Sequence, residues 1–219
     1  LSFKTIFKYT IPVMLGYIPL GAAYALLATQ IGLKEWQIVL MSFVVYAGSG
    51  QFLLVTLFSA GATLVEIFVA TFLLNLRHIF YTTTLLEDIL KLKNKFYVMF
   101  ALTDESFALL KTLKIDDENK DKTYFYIVFL NQIYWIVGTI LGIVVGKNLQ
   151  IDYSGIEFSL VALFVVLAIE LFKSNKNYKI LFISLFLGIF GMIFLPDKFM
   201  LITTLVIGFI ILLAFRKSL

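Results

Sequence analysis

Apolar residues run along this chain in long blocks divided by short polar links, a pattern of helices that cross a bilayer rather than of a globular fold. A block of about twenty apolar residues is long enough to span the hydrocarbon core as a helix. Blocks of that kind, or slightly shorter, cover 11–31, 36–58, 64–86, 124–146, 156–172, 180–195 and 199–215. Segment 96–110 is shorter and is interrupted by Thr103-Asp104-Glu105-Ser106, which fits an interfacial or partly inserted helix better than a full crossing. The expected fold is all-α, a polytopic membrane helix bundle with about six to seven spanning segments. At least one segment is expected to be broken or re-entrant. Residues 1–219 read as a single integral membrane domain, with 11–110 as an N-terminal half carrying the site and 124–215 as a C-terminal four-helix half.

Two polar islands interrupt the apolar pattern. The first is Gly48-Ser49-Gly50-Gln51 and the second is Asn75-Leu76-Arg77-His78. An arginine at mid-bilayer costs roughly 2.5–3.5 kcal/mol on insertion scales, so Arg77 must face protein, water or a ligand. On a helix over 64–86, Thr71, Asn75, His78 and Thr82 fall on one stripe, and Arg77, Tyr81, Thr84 and Asp88 on the neighbouring one. Two glycines one residue apart each destabilise a helix interior by about 1 kcal/mol, so Gly48 and Gly50 mark either tight packing or an unwound turn whose freed backbone groups bind a solute. Gln51 beside them could satisfy that backbone or a ligand. In the first block Pro12, Gly16, Tyr17, Pro19 and Gly21 predict either a kinked packing helix or a ligand-facing break. Gly138, Gly142 and Gly146, four apart, predict a helix-packing face.

Composition fixes the class. The chain of 219 residues is 61% hydrophobic and 15% charged, where soluble domains run near 45–50% and about 25%. The net charge of +4 is carried by lysines in short links, a topology signal and no mark of nucleic-acid binding. The absence of cysteine excludes disulfides and thiolate metal sites, and His78 is the sole histidine, so no metal or cofactor motif presents itself. Lys4 and Lys8 ahead of an apolar run imitate a signal peptide, but the run continues past any cleavage pattern and reads as the first membrane segment.

With both termini, 87–122 and 173–179 on the cytoplasmic side, only Lys34, Lys147 and Lys198 of the 18 basic residues lie outside, and Arg77 lies within the membrane. That arrangement needs an even number of crossings before Glu87, whereas three apolar blocks precede it. Either the Gly48–Gly50 stretch belongs to a segment that dips in and returns, or 96–110 crosses and carries Lys91, Lys93 and Lys95 outside. An internal repeat is also expected, relating 16–58 to 132–172 as a glycine-rich span, a short link and a serine-containing span.

The stretches GYIPLGAAYALLATQIGL, LMSFVVYAGSGQFLLVTLFSAGA and NLRHIFYTT, with the later LTDESFALL, resemble the AzlC family, the large subunit of two-component branched-chain amino acid exporters. They cover most of 16–110; from Tyr124 onward the similarity is mostly apolar character. The resemblance implies a secondary transporter in a bacterial cytoplasmic membrane, exporting valine, leucine, isoleucine or similar amino acids with a small membrane subunit of the AzlD type. It transfers no individual binding residues.

Site roles are therefore read from chemistry. Arg77 is the expected partner of a substrate carboxylate. Gly48, Ser49, Gly50, Gln51 and Asn75 would hold the polar ends of the amino acid, and Tyr46 and Tyr17 would shape a pocket for its apolar side chain. His78 could titrate near neutral pH and couple transport to protons. Asp104 and Glu105 read as a gate or as fixed ion-pair partners of Arg77, which would make Arg77 structural. A channel or a structural subunit without its own substrate site remains the alternative. An intramembrane enzyme built on Ser49 and His78 lacks the strand-turn-helix setting of a nucleophile elbow.

Overall fold

The structure is a computed structural model that describes residues 2–113, 115, 119–148, 165, 169, 172 and 176–214. Among these residues every regular element is a helix. In chain order they are α1 (Phe3–Gln30), α2 (Glu35–Val44), α3 (Gly48–Ser59), α4 (Leu64–Asn75), α5 (Arg77–Thr84) and α6 (Leu86–Ile89), then α7 (Lys95–Phe100), α8 (Asp104–Thr112), α9 (Lys120–Asn148), α10 (Tyr178–Phe194) and α11 (Asp197–Ala214). Among the described residues, three helical stretches are long and apolar enough to cross a membrane, namely Phe3–Gln30, Leu64–Thr84 and Lys120–Lys147. The expected span at 156–172, and with it the second half of the expected repeat, lies outside the described residues apart from three isolated positions.

The frame is the pair α1 and α9, which pack along one another more extensively than any other two elements. Pro12 and Pro19 both lie inside α1, yet the helix continues through them, so the packing reading of this block holds. Small residues let the two backbones meet. A Cβ on Gly21 would lie 2.7 Å from the Trp135 carbonyl oxygen, and one on Gly138 or Gly142 would collide with the backbone of Ile18 or Ala22. With lipid as the competing solvent, such close approach and its van der Waals contact are what drive helix pairing. The Thr10 and Tyr134 hydroxyls add a buried cross-link at 2.9 Å.

The block 36–58 is broken, as one segment was expected to be, but the break falls at Val45–Ala47 and not within Gly48–Gly50, which form the first turn of α3. Tyr46 takes φ 41°, a left-handed conformation that costs a non-glycine residue about 1–3 kcal/mol. Surrounding contacts hold it there. The Phe43 carbonyl, released by the break, accepts from Gln132 Nε2 at 3.0 Å, and the Gln132 Oε1 accepts from Tyr97 at 2.5 Å. At about 1.5 Å per residue, α2 and α3 are each shorter than the roughly 30 Å hydrocarbon core.

The continuous helix expected over 64–86 is also divided. Thr63 and Glu66 form a reciprocal cap that starts α4, with the Glu66 carboxylate accepting from the Thr63 N–H at 2.6 Å and from its hydroxyl at 2.7 Å. A turn at Leu76 then separates α4 from α5. The backbone at Leu76 stays in the right-handed helical region, so the helical stretch still runs from Leu64 to Thr84 with one tightened turn. Segment 96–110 resolves into α7 and α8 on either side of Ala101–Thr103, with Thr103 capping α8 by accepting from the Ser106 N–H at 3.3 Å. Below the site, Asp88 accepts from Lys120 Nζ at 2.8 Å and from the Tyr124 hydroxyl at 3.1 Å, tying α6 to the start of α9. The hydrogen bond from Lys120 holds the Asp88 carboxyl below its usual range. Farther along the chain, α10 packs on α11, and α11 touches α4.

The α1–α9 contact can be tested by overpacking. Gly142→Val should lower the unfolding midpoint in detergent, a cost of about 1–3 kcal/mol. Gly16→Ala should leave it unchanged or slightly raised, because nothing lies within 4 Å of a Cβ there.

Candidate functional site

The breaks in the helices converge on one place. The turn at Val45–Ala47, the first turns of α3, α5 and α8, and the inner faces of α1 and α9 enclose a small cavity of about 50 Å³. Leu20, Ala47 and Trp135 supply apolar wall, and the remaining lining carries hydroxyl, imidazole, guanidinium and carboxylate groups.

Arg77 is the centre of the polar side. Its Nη1 donates to Asp104 Oδ2 and its Nη2 to Ser49 Oγ, so one guanidinium ties α5 to α8 and α3. The two charged side chains are 24% and 25% exposed, which leaves the pair reachable from the cavity. The guanidinium Nε and Asp104 Oδ1 are buried without a hydrogen-bond partner among the described residues. The fixed-acid pairing considered for Arg77 is thus present, and a cavity lies beside it.

His78 follows Arg77 in the first turn of α5 and lines the same cavity. Its Nδ1 lies 3.2 Å from the Asn75 carbonyl oxygen. A carbonyl only accepts, so Nδ1 carries the proton and Nε2 is left as an acceptor. Glu105 is exposed towards the cavity, and its Oε2 accepts from the Tyr17 hydroxyl. Tyr17 also lies 2.8 Å from Thr103 Oγ1. The Tyr46 hydroxyl, next to them on the strained turn, is buried without a partner among the described residues.

Of the residues singled out from sequence, Tyr17, Tyr46, Gly48, Ser49, Arg77, His78, Asp104 and Glu105 all line this cavity. Gln51, Gly50 and Asn75 do not. Gln51 is fully buried, accepting from Trp135 Nε1 at 2.9 Å and donating to Ser42 Oγ at 3.2 Å, so its amide is spent on the frame. A Cβ on Gly50 would stand 3.5 Å from Asn75 Nδ2, which makes this pair a contact between α3 and α4 behind the cavity wall. Gly48 lets the Trp135 ring close on the break, since a Cβ there would approach the ring to 3.0 Å. Four lining residues, Leu20, Ala47, Thr103 and Trp135, had not been singled out as site residues. Thr103 was recoverable as a helix cap ahead of two acids; Trp135 carried no local signal. Among the described residues no group of three histidine, cysteine, aspartate or glutamate side chains is placed to hold a metal ion.

The family described as AzlC protein matches residues 12–149, a stretch that contains every residue of the cavity. An uncharacterized membrane protein of Helicobacter pylori strain 26695 is 33% identical over 220 residues, 100% of this chain and 96% of the relative. The branched-chain amino acid transport protein AzlC of Bacillus subtilis strain 168 is 32% identical over 184 residues, 82% of this chain and 72% of the relative. The inner membrane protein YgaZ of Escherichia coli K12 is 29% identical over 180 residues, covering 78% and 73%. No solved structure matches the chain significantly.

If the Arg77–Asp104 pair is what joins α5 to α8, the two residues are energetically coupled. In a thermal-unfolding cycle of Arg77→Met, Asp104→Leu and the double variant, each single change should strand a charge and the double should be milder than their sum. The coupling should amount to about 0.5–3 kcal/mol. Simple additivity would mean that the pair contributes nothing to the fold.

Proposed function

The chain belongs to the AzlC family, and from that premise we propose that it exports branched-chain and similar apolar amino acids across the cytoplasmic membrane, driven by protons, as the large subunit of a two-component transporter. Its partner would be a small membrane subunit of the AzlD type, and both termini would lie in the cytoplasm. The observation that carries this reading is a cation and an anion, Arg77 and Asp104, already paired at the edge of a cavity.

An amino acid is itself such a pair. Its carboxylate can take the place of Asp104 on the Arg77 guanidinium by charge-assisted, two-point hydrogen bonding, and its ammonium can take the place of Arg77 on Asp104. One internal ion pair is exchanged for two external ones with no change in net charge. A lone anion or a lone amine would instead leave one protein charge without a partner, which in a low-dielectric site costs several kcal/mol. Ser49, now bonded to Arg77, becomes available to the carboxylate, and the first-turn amides of α3 add the positive end of a helix dipole. Gly50, Gln51 and Asn75 would support that turn from behind. Tyr17, Tyr46, Leu20 and Trp135 offer the apolar wall that a branched side chain needs. Such a wall discriminates single methylenes only weakly, so a group of related amino acids is the expected substrate range.

The test is counterflow of labelled leucine in liposomes, with and without the small subunit. Valine, isoleucine and methionine should compete with leucine. Isocaproate, which lacks the ammonium, and isoamylamine, which lacks the carboxylate, should compete at least about tenfold less well, a difference of about 1.4 kcal/mol. Arg77→Gln should abolish counterflow. Equal flux of leucine and isoamylamine, unaffected by Arg77→Gln, would favour the channel reading.

A further inference from the structure

One charged group in the cavity has no counter-charge. Arg77 is paired with Asp104, and among the described residues Glu105 forms no ion pair. Ionised, it leaves the site with one net negative charge; protonated, it leaves the site neutral. Its surroundings serve both states. The Tyr17 hydroxyl is within hydrogen-bonding reach of Glu105 Oε2 and of Thr103 Oγ1, at 2.8 Å from the latter, yet it has a single proton and can donate to only one of them. When Glu105 is ionised, Tyr17 donates to it. When Glu105 is protonated, the acid can donate to the Tyr17 oxygen, and Tyr17 turns its proton to Thr103. Thr103 Oγ1 is 3.1 Å from Ser106 Oγ, which accepts from Asn131 Nδ2 at 2.9 Å, so the chain of bonds is anchored on α9 without a charged group.

We propose that Glu105 is the proton-carrying residue of the transport cycle, with Tyr17 and Thr103 as the hydroxyl relay that holds both of its protonation states. The inference rests on the transport reading given above. A proton passes from water at the cavity mouth to a Glu105 carboxylate oxygen, with the Tyr17 hydroxyl reversing direction, and leaves to water on the opposite side after the cavity has changed its exposure. No bond other than O–H is made or broken. The ionisable groups around Glu105 are Tyr17 from α1, Tyr46 from the α2–α3 turn, Arg77, His78 and Tyr81 from α5, and its neighbour Asp104. Arg77 is engaged by Asp104. His78 is the competing proton carrier: its Nδ1–H is given to the Asn75 carbonyl while Nε2 can still accept a proton, so the His78→Gln comparison below decides between the two.

Two readouts on liposomes of the complete protein test this. The first compares leucine accumulation driven by an imposed pH gradient with leucine counterflow at equal pH. Glu105→Gln, which mimics the protonated acid, should lose at least tenfold in driven accumulation while still exchanging leucine; His78→Gln should accumulate leucine with an unaltered pH dependence. Undiminished driven accumulation in Glu105→Gln, or its loss in His78→Gln alone, would overturn the assignment. The second readout is the infrared band of a protonated carboxylic acid across a pH titration, which needs no transport. A component of that band that titrates above the range of ordinary carboxylates should be present in the wild type, absent in Glu105→Gln, and moved to higher pH in Tyr17→Phe, because the ionised form loses a donor. No such band in the wild type would overturn the assignment even if the Gln variant failed to fold. If the wild type shows no leucine counterflow, the transport reading itself fails, whatever the infrared titration shows.

Discussion

A guanidinium set among apolar helices cannot be left unpaired, and much of the site follows from how Arg77 is satisfied. Its two terminal nitrogens reach Asp104 on α8 and Ser49 on α3, two elements that are far apart in sequence. Removing such a partner strands a charge, which is costly where water is scarce. The same pairing stands at the edge of the cavity, 24% and 25% exposed, where a ligand can reach it.

The second constraint is mechanical. α1 and α9 approach so closely that Gly138 and Gly142 leave no room for a side chain, and this pair forms a firm wall. Against it stand short pieces, α2, α3, α5 and α8, whose ends meet at the cavity. Helix ends expose amides and carbonyls that a continuous helix would consume, and in a membrane they are tolerated only where protein or a cavity receives them. Gln132 receives the carbonyl of Phe43, and the His78 ring receives that of Asn75. The polar side chains of the apolar helices are thus divided between bracing the breaks and facing the cavity.

That division explains what could be read from the sequence. Arg77, His78, Asp104 and Glu105 stood out because hydrocarbon rejects them, and all four line the cavity. Gln51 and Asn75 stood out for the same reason and lie behind the wall, since burial cost alone does not say whether a ligand or a distant side chain repays it. The partner of Gln51 is Trp135, 84 positions away, and no local pattern links them. The break before α3 was anticipated, but its position was not: the left-handed residue is Tyr46, and the glycines that drew attention serve close packing instead. The turn at Leu76 has neither proline nor glycine to announce it. The small-residue spacing of α9, by contrast, transferred directly into its contact with α1, because close helix approach depends on little else.

The central claim is that the Arg77–Asp104 pair parts to admit an amino acid between its members. Carboxyl-labelled leucine bound to protein carrying nitrogen-labelled arginine reports this by solid-state dipolar coupling, and Arg216→Lys makes Arg77 the only guanidinium present. The account predicts a coupling between the leucine carboxyl carbon and the Arg77 nitrogens, with the coupling between those nitrogens and the Asp104 carboxyl carbon weakened on binding. Leucine bound with the Arg77–Asp104 coupling unchanged, and none to the ligand, would contradict it.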